Sequence, residues 1–337
     1  MAPTDRLCEA CAPLNLVRED FLEPPFERGR NERDPILEGS LGLLRRSQNC
    51  PLCRLILYTL LKNGRGSIPN DDEARWALLW GPNNPEYEPT KQNEDLFGSG
   101  LYANLTSNQF QREYRIELVD DDTASGFLRA RKLAHSGINT QRLQGWISSC
   151  QDVHGTTHEK SYFQDSIYPF KLQGFRVIDV RRRCLAVLSG GEEYVALSYV
   201  WGTRNNIVTK KENVEVFSTK DAFSSVELPK TIRDAIDLTH ALGYLYLWVD
   251  SLCIVQDDDS VKLQLIANMG SIYANATVTI VAATGSNANA GLSGFDEDSR
   301  ASINTPLEFI GPELQLGVLP HFAAELMESC HATRAWT

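Results

Sequence analysis

The sequence predicts an α/β protein, with a doubly wound parallel sheet in its C-terminal half and a smaller mixed α+β region rich in cysteine before it. Three observations carry this. Apolar strand-like runs alternate with amphipathic helical stretches from Tyr194 to Ala283, two Cys-x-x-Cys pairs stand near the N-terminus, and a chain of 337 residues, 42% of them hydrophobic, can bury two cores. The expected division is 1–165 for the cysteine-rich region and 166–337 for the α/β region, whose core is 194–294.

The N-terminal region opens with Cys8 and Cys11, followed by Cys50 and Cys53 at the head of the amphipathic stretch Leu52 to Leu61. From Asn63 to Thr123 the chain is rich in loop residues, with Gly64, Gly66, Pro69, Pro82, Pro85 and Pro89 between short apolar pieces. Only weak strand signals appear there, as in Trp76 to Trp80 and Tyr114 to Val119. A helix is expected over 140–153, capped by Thr140, with Leu143, Trp146, Ile147 and Cys150 on one face. Two apolar pieces follow, Phe175 to Val180 and Ala186 to Ser189. Arg181-Arg182-Arg183 lies between them and reads as a solvated turn or strand edge rather than a binding patch.

The α/β pattern then sharpens. Tyr194 to Val200 is almost wholly apolar, as a strand buried on both faces is. Pro229 opens a helix with Ile232, Ala235, Ile236 and Leu242 on one side and Gly243 as its stop. Leu245 to Val249 makes a second strand. Asp257, Asp258 and Asp259 load the start of the next helix with the negative charge its dipole favours, and Thr277 to Ala283 is a third, β-branched strand. Strand, helix, strand, helix, strand at this spacing implies right-handed crossovers and a parallel sheet.

In open parallel sheets ligands bind beyond the carboxyl ends of the strands. Those ends carry Trp201 and Gly202, then Asp250, Ser251 and Cys253 with Asp257 just beyond, then Thr284 and Gly285, so these residues form the candidate functional surface. The plainer alternative is that Asp250-Ser251 caps a turn or helix and Trp201-Gly202 ends a strand. Catalytic residues cannot be assigned from the sequence.

A net charge of −11 argues against nucleic acid as a partner, and no run of about 20 apolar residues is present to span a membrane. The N-terminal stretch has no apolar signal core, so the expected location is the cytoplasm, where thiols stay reduced. Cys8, Cys11, Cys50 and Cys53 then read as a four-thiolate structural zinc site. The alternative is that Cys53 faces a core while Cys8 and Cys11 are exposed thiols in a loose terminus. Cys150 with His154 and His158 lacks a fourth ligand, and core packing is the better reading of Cys150.

Four ordered blocks resemble the fungal heterokaryon-incompatibility (HET) family. These are Tyr194-Val-Ala-Leu-Ser-Tyr-Val-Trp-Gly202; Leu228-Pro-Lys-Thr-Ile-Arg-Asp-Ala-Ile236 with Tyr246-Leu-Trp-Val-Asp-Ser-Leu-Cys-Ile-Val-Gln-Asp-Asp258; Met269-Gly-Ser-Ile-Tyr-Ala-Asn-Ala276 with Thr279-Ile-Val-Ala-Ala-Thr-Gly285; and Gly291-Leu-Ser-Gly294. Arg334-Ala-Trp-Thr337 resembles the start of the family's closing block, which implies a C-terminal truncation. The resemblance implies a signalling and interaction module of nonself recognition that triggers programmed cell death through protein partners or self-association. The family is held to be distantly similar to TIR domains, doubly wound modules of which some hydrolyse NAD with a helix-borne glutamate. The stretch Ser260 to Ala274 has no Glu, so TIR-like NAD hydrolysis is the alternative function and NAD a cofactor only under it.

Overall fold

The computed structural model describes residues 6–22, 34–64, 68–82, 99–106, 114–119, 137–154, 169–188, 190–202, 207–295, 306–320, 326–327 and 329–333. The chain forms two compact units, Met1–Ala134 with Ala301–Glu325, and His135–Arg300 with Leu326–Thr337.

The first unit is built on a curled six-stranded sheet in which every pairing is antiparallel. Its strands are β1 (Leu37–Ser40), β2 (Arg75–Pro82), β3 (Ser99–Leu105), β4 (Tyr114–Leu118), β10 (Leu307–Phe309) and β11 (Gln315–Pro320), ordered β1-β2-β3-β4-β11-β10. All seven residues of β3 are buried, so the inside-outside alternation that betrays a half-exposed strand is missing from its sequence. Two helices accompany the sheet. Helix α1 (Leu41–Arg46) starts where the Ser40 hydroxyl accepts the Leu43 N–H, and ends in Arg45 and Arg46, which suit its negative pole. Helix α2 (Pro51–Asn63) has proline in its first turn, where no N–H is needed, and packs Leu52, Leu55, Ile56 and Leu60 against β3, β4, β10 and β11. Buried Asn63 closes that contact: its amide donates to the Ala103 carbonyl at 3.2 Å and accepts the Tyr114 N–H at 2.9 Å. Arg54 adds a two-pronged pair to Glu308, both contacts 2.6 Å, fixing β10 to the helix.

The second unit holds a five-stranded mixed sheet ordered β6-β5-β8-β7-β9, made of β5 (Val177–Asp179), β6 (Cys184–Ala186), β7 (Val195–Ser198), β8 (Tyr246–Trp248) and β9 (Val278–Val281). Around it run α3 (Thr140–His154), α4 (Val214–Phe217), α5 (Lys230–Ala241), α6 (Asp250–Cys253), α7 (Asp259–Ala267) and α8 (Met269–Ala274). Strand β7 pairs in parallel with β8 on one side and β9 on the other. Trp248 on the central strand is fully buried, with Tyr273 edge-on to its ring at 5.4 Å between centroids.

These sheets overturn the doubly wound parallel expectation. Only three strands run parallel; β5 pairs antiparallel with both β8 and β6, and the first unit has no parallel pair among its described strands. For the β5–β6 hairpin the reason is local. Arg181 and Arg182 donate their N–H groups to the Asp179 carboxylate and Arg183 adopts a left-handed φ of 51°, making a turn far too short for a parallel crossover. The basic run is thus a hairpin turn, the reading preferred from the sequence.

Smaller differences have similar causes. The helix expected after Asp257 breaks at Asn268 into α7 and α8. Asn139, one residue before Thr140, caps α3 by accepting the Arg142 N–H at 2.9 Å. Leu143 and Ile147 of that helix pack on the second core, while Trp146 and Cys150 are exposed, so core packing does not explain Cys150. The compact units also depart from a break near 165, because β11 returns to pair with β4 and draws 301–325 into the first unit. Among the described residues no helix is long and apolar enough to cross a membrane.

Candidate functional site

Two side-chain clusters carry the chemistry, one in each unit. In the first unit the Cys8-x-x-Cys11 turn is closed by the Cys11 N–H bonding the Cys8 carbonyl at 3.0 Å. The second pair is set by α2, with Cys50 at its N-cap and Cys53 in its first turn. The four Sγ atoms lie within 4.8 Å of one another, and Cys53 Sγ is 3.7 Å from both Cys8 Sγ and Cys11 Sγ. A disulfide would need about 2.0 Å, whereas a zinc tetrahedron with bonds of about 2.3 Å has sulfur-sulfur edges of about 3.8 Å. Cys11, Cys50 and Cys53 are buried and Cys8 half-buried, which removes the alternative of exposed thiols in a loose terminus. Cys50 is held well below the usual thiol range, first by an S–H bond from Cys11, and Cys11 is correspondingly pushed up. The donor set suits a soft divalent cation.

In the second unit the end of β7 meets α6. Both carboxylate oxygens of Asp250 accept the Trp201 indole N–H, at 2.9 and 3.0 Å, and one of them also accepts the Ser251 N–H at 2.8 Å. Ser251 is fully buried, and its hydroxyl accepts the Tyr199 O–H at 2.9 Å. Thr209 stitches the incoming loop to the same turn, its N–H bonding the Ser251 carbonyl at 3.1 Å and its hydroxyl the Leu252 carbonyl at 2.6 Å.

The remaining predicted residues fall around this centre. Gly202 has a φ of +79°, and a Cβ there would stand 2.6 Å from the Asn287 Cβ, so glycine is required for the loop after β9 to close on Trp201. Ala288 donates its N–H to the Trp201 carbonyl at 3.3 Å. Thr284 is exposed and Gly285 buried at the start of that loop. Cys253 does not reach the cluster. Its Sγ accepts the Val249 N–H at 3.2 Å and contacts the Leu247 carbonyl at 3.8 Å, and burial pushes the thiol up to about 12. Asp257 is exposed and accepts the Lys211 N–H at 2.8 Å, away from Asp250. The structure therefore brings together Trp201, Gly202, Asp250 and Ser251, with the Thr284-Gly285 loop against them.

Two further contacts escaped the strand-end reasoning. Asp234 on α5 accepts both the Lys230 ammonium at 2.7 Å and the Leu292 N–H at 2.8 Å, while Thr231 Oγ1 accepts the Gly291 N–H at 3.0 Å. The Lys-Thr and Asp of the second block and the Gly-Leu of the fourth are thus two sides of one latch, a pairing their shared motif status could have suggested. Ser198 Oγ and His331 Nε2 are 2.7 Å apart, and nothing in the sequence links those positions. Arg334 to Thr337 and His158 lie outside the described residues.

With this geometry in hand, a family model described as Heterokaryon incompatibility protein (HET) matches residues 194–337. Residues 194–337 are thus similar to HET domains. All four blocks that join at the strand-end cluster and the α5 latch lie inside the matched span. Among curated proteins, Heterokaryon incompatibility protein 6, OR allele, of Neurospora crassa is 32% identical over 104 residues, covering 28% of this chain. The match spans 15% of that protein's length. No solved structure matches the HET domain chain.

Proposed function

We propose that this HET domain protein acts in fungal heterokaryon incompatibility as a cytoplasmic signalling and interaction module, and that its output is programmed cell death. The HET match and the name of the Neurospora crassa relative support the setting. The observation that carries the reading is the engagement of Asp250: the one carboxylate at the centre of the strand-end cluster is taken up by Trp201 and Ser251. A carboxylate so held suits a fixed binding surface better than NAD hydrolysis, and neither α7 nor α8 offers a glutamate. The exposed rim at Gly202 and Thr284, with the half-buried Trp201 ring, is the surface that a protein partner or a second copy would meet, and Asp250, Ser251 and Gly285 support it from within. In the first unit the four cysteines are proposed to hold a structural zinc.

The test is expression in a filamentous fungus. Wild-type protein should kill or arrest the host, and Thr284→Arg should abolish this at an unchanged melting temperature. Full toxicity of Thr284→Arg would remove the rim from the mechanism, and a harmless wild type would remove the cell-death reading.

A further inference from the structure

The first unit's N-terminal segment, residues 6–22, is ordered without the usual means. It contributes no strand to the sheet and only two short 3-10 turns, Ala12–Leu14 and Arg18–Phe21. Backbone bonds run within the segment, from Leu14 to Cys11, Asn15 to Ala12, Asp20 to Val17 and Leu22 to Glu19. Yet Cys11 and Phe21 are buried in the first core, and Leu7, Leu14, Leu16 and Leu22 pack partly against it. Phe21 lies on the Trp80 ring with centroids 5.1 Å apart.

Fixing an irregular segment of this length is opposed by its conformational entropy at every residue. Burial of Phe21 and Cys11 and the part-buried leucines offset part of that cost. A further attachment is the sulfur cluster, where Cys8 and Cys11 meet Cys53 at 3.7 Å. Thiols at that distance share only weak S–H contacts, and neighbouring thiolates repel. A soft divalent cation converts the same geometry into four metal-sulfur bonds, with the thiol protons released to solvent.

We propose that the tetrathiolate zinc centre fastens residues 6–22 over the first core, so that metal loading decides whether Trp80 and its neighbours are covered. This rests on the zinc reading above. The mechanical logic is that the two ligand pairs sit on different kinds of support. Cys50 and Cys53 belong to α2, which Asn63 and Arg54 already tie to the sheet, whereas Cys8 and Cys11 belong to the segment that needs tying. Loss of metal therefore frees the segment and leaves the helix in place.

The experiment uses the full chain. Metal content is measured after purification, and Co(II) replacement is read for the visible spectrum of a tetrathiolate site. Amide exchange is then followed by mass spectrometry before and after stripping the metal with a chelator, and again after zinc is returned. The expected result is stoichiometric metal, with exchange in residues 6–22 and around Trp80 faster by roughly tenfold or more on stripping and restored by zinc. Peptides from β7 and β8 should not change. Cys8→Ser combined with Cys11→Ser should reproduce the stripped pattern in the N-terminal segment while α2 stays protected. No retained metal and no tetrathiolate spectrum with Co(II) would overturn the zinc reading itself. Bound metal whose removal leaves residues 6–22 protected would overturn the fastening role alone.

Discussion

The two side-chain clusters of this protein differ in the chemistry of the groups they bring together. In the strand-end cluster of the second unit the indole N–H of Trp201, the carboxylate of Asp250, the N–H and hydroxyl of Ser251 and the hydroxyl of Tyr199 answer one another. In the first unit four sulfurs converge within 4.8 Å of one another. A buried polar cluster that satisfies its own members is part of the scaffold, while one that cannot do so calls for something from outside. The comparison divides the candidate residues. Asp250 and Ser251 bond within the second unit's own fold, and the four cysteines are a donor set that suits a metal ion.

The largest expected effect follows from the incomplete cluster. Cys50→Ser should abolish metal retention, free residues 6–22 and lower the stability of the first unit while its sheet stays folded, because metal binding contributes folding free energy. Calorimetry should then show the first transition lowered and the second kept; a single unshifted scan would erase the contrast between the units. In the second unit, Trp248→Ala leaves a cavity at the centre of the mixed sheet and should cost about 3 to 5 kcal/mol whether or not zinc is present. Denaturant titration with and without chelator measures that independence.

A smaller effect tests self-satisfaction directly. Asp250→Asn turns one acceptor into a donor facing either the Trp201 or the Ser251 N–H, and should lower stability by about 1 to 3 kcal/mol. Unchanged stability with lost toxicity would instead make Asp250 part of the working surface. The smallest effect is chemical. Cys253, with its thiol pushed up to about 12 by burial, stays protonated through the physiological range and should resist alkylation at pH 8 in the folded protein. Exposed Cys150 and Cys330 should react, and mass spectrometry of the modified peptides distinguishes them.

Much of the HET domain was legible in the chain. The three parallel strands lie where apolar runs ended by Trp201-Gly202, Asp250 and Thr284-Gly285 put them, and α5 begins just after Pro229 and ends before Gly243. The Arg181–Arg183 turn and the burial of Trp248 also follow from local pattern. The short β5 and β6 were visible as apolar pieces, but their direction was not. Strand β3 gave almost no signal because both its faces are covered, and β10 and β11 gave none that joined them to the N-terminal region.

The sequence by itself determined the resemblance to the HET family, the positions of the central strands, the spacing of the two cysteine pairs and the list of strand-end residues. These are properties of neighbours along the chain, written in periods of two and 3.6 residues and in the geometry of turns. Tertiary structure alone decided that β5 runs antiparallel to β8, that Leu316 pairs with Leu118, that Cys8 and Cys11 meet Cys53, and that Asp250 accepts the Trp201 indole N–H. Each of these is a choice of partner made across a long loop, and the free energy that selects it comes from packing and hydrogen bonds that exist only once both segments are in place.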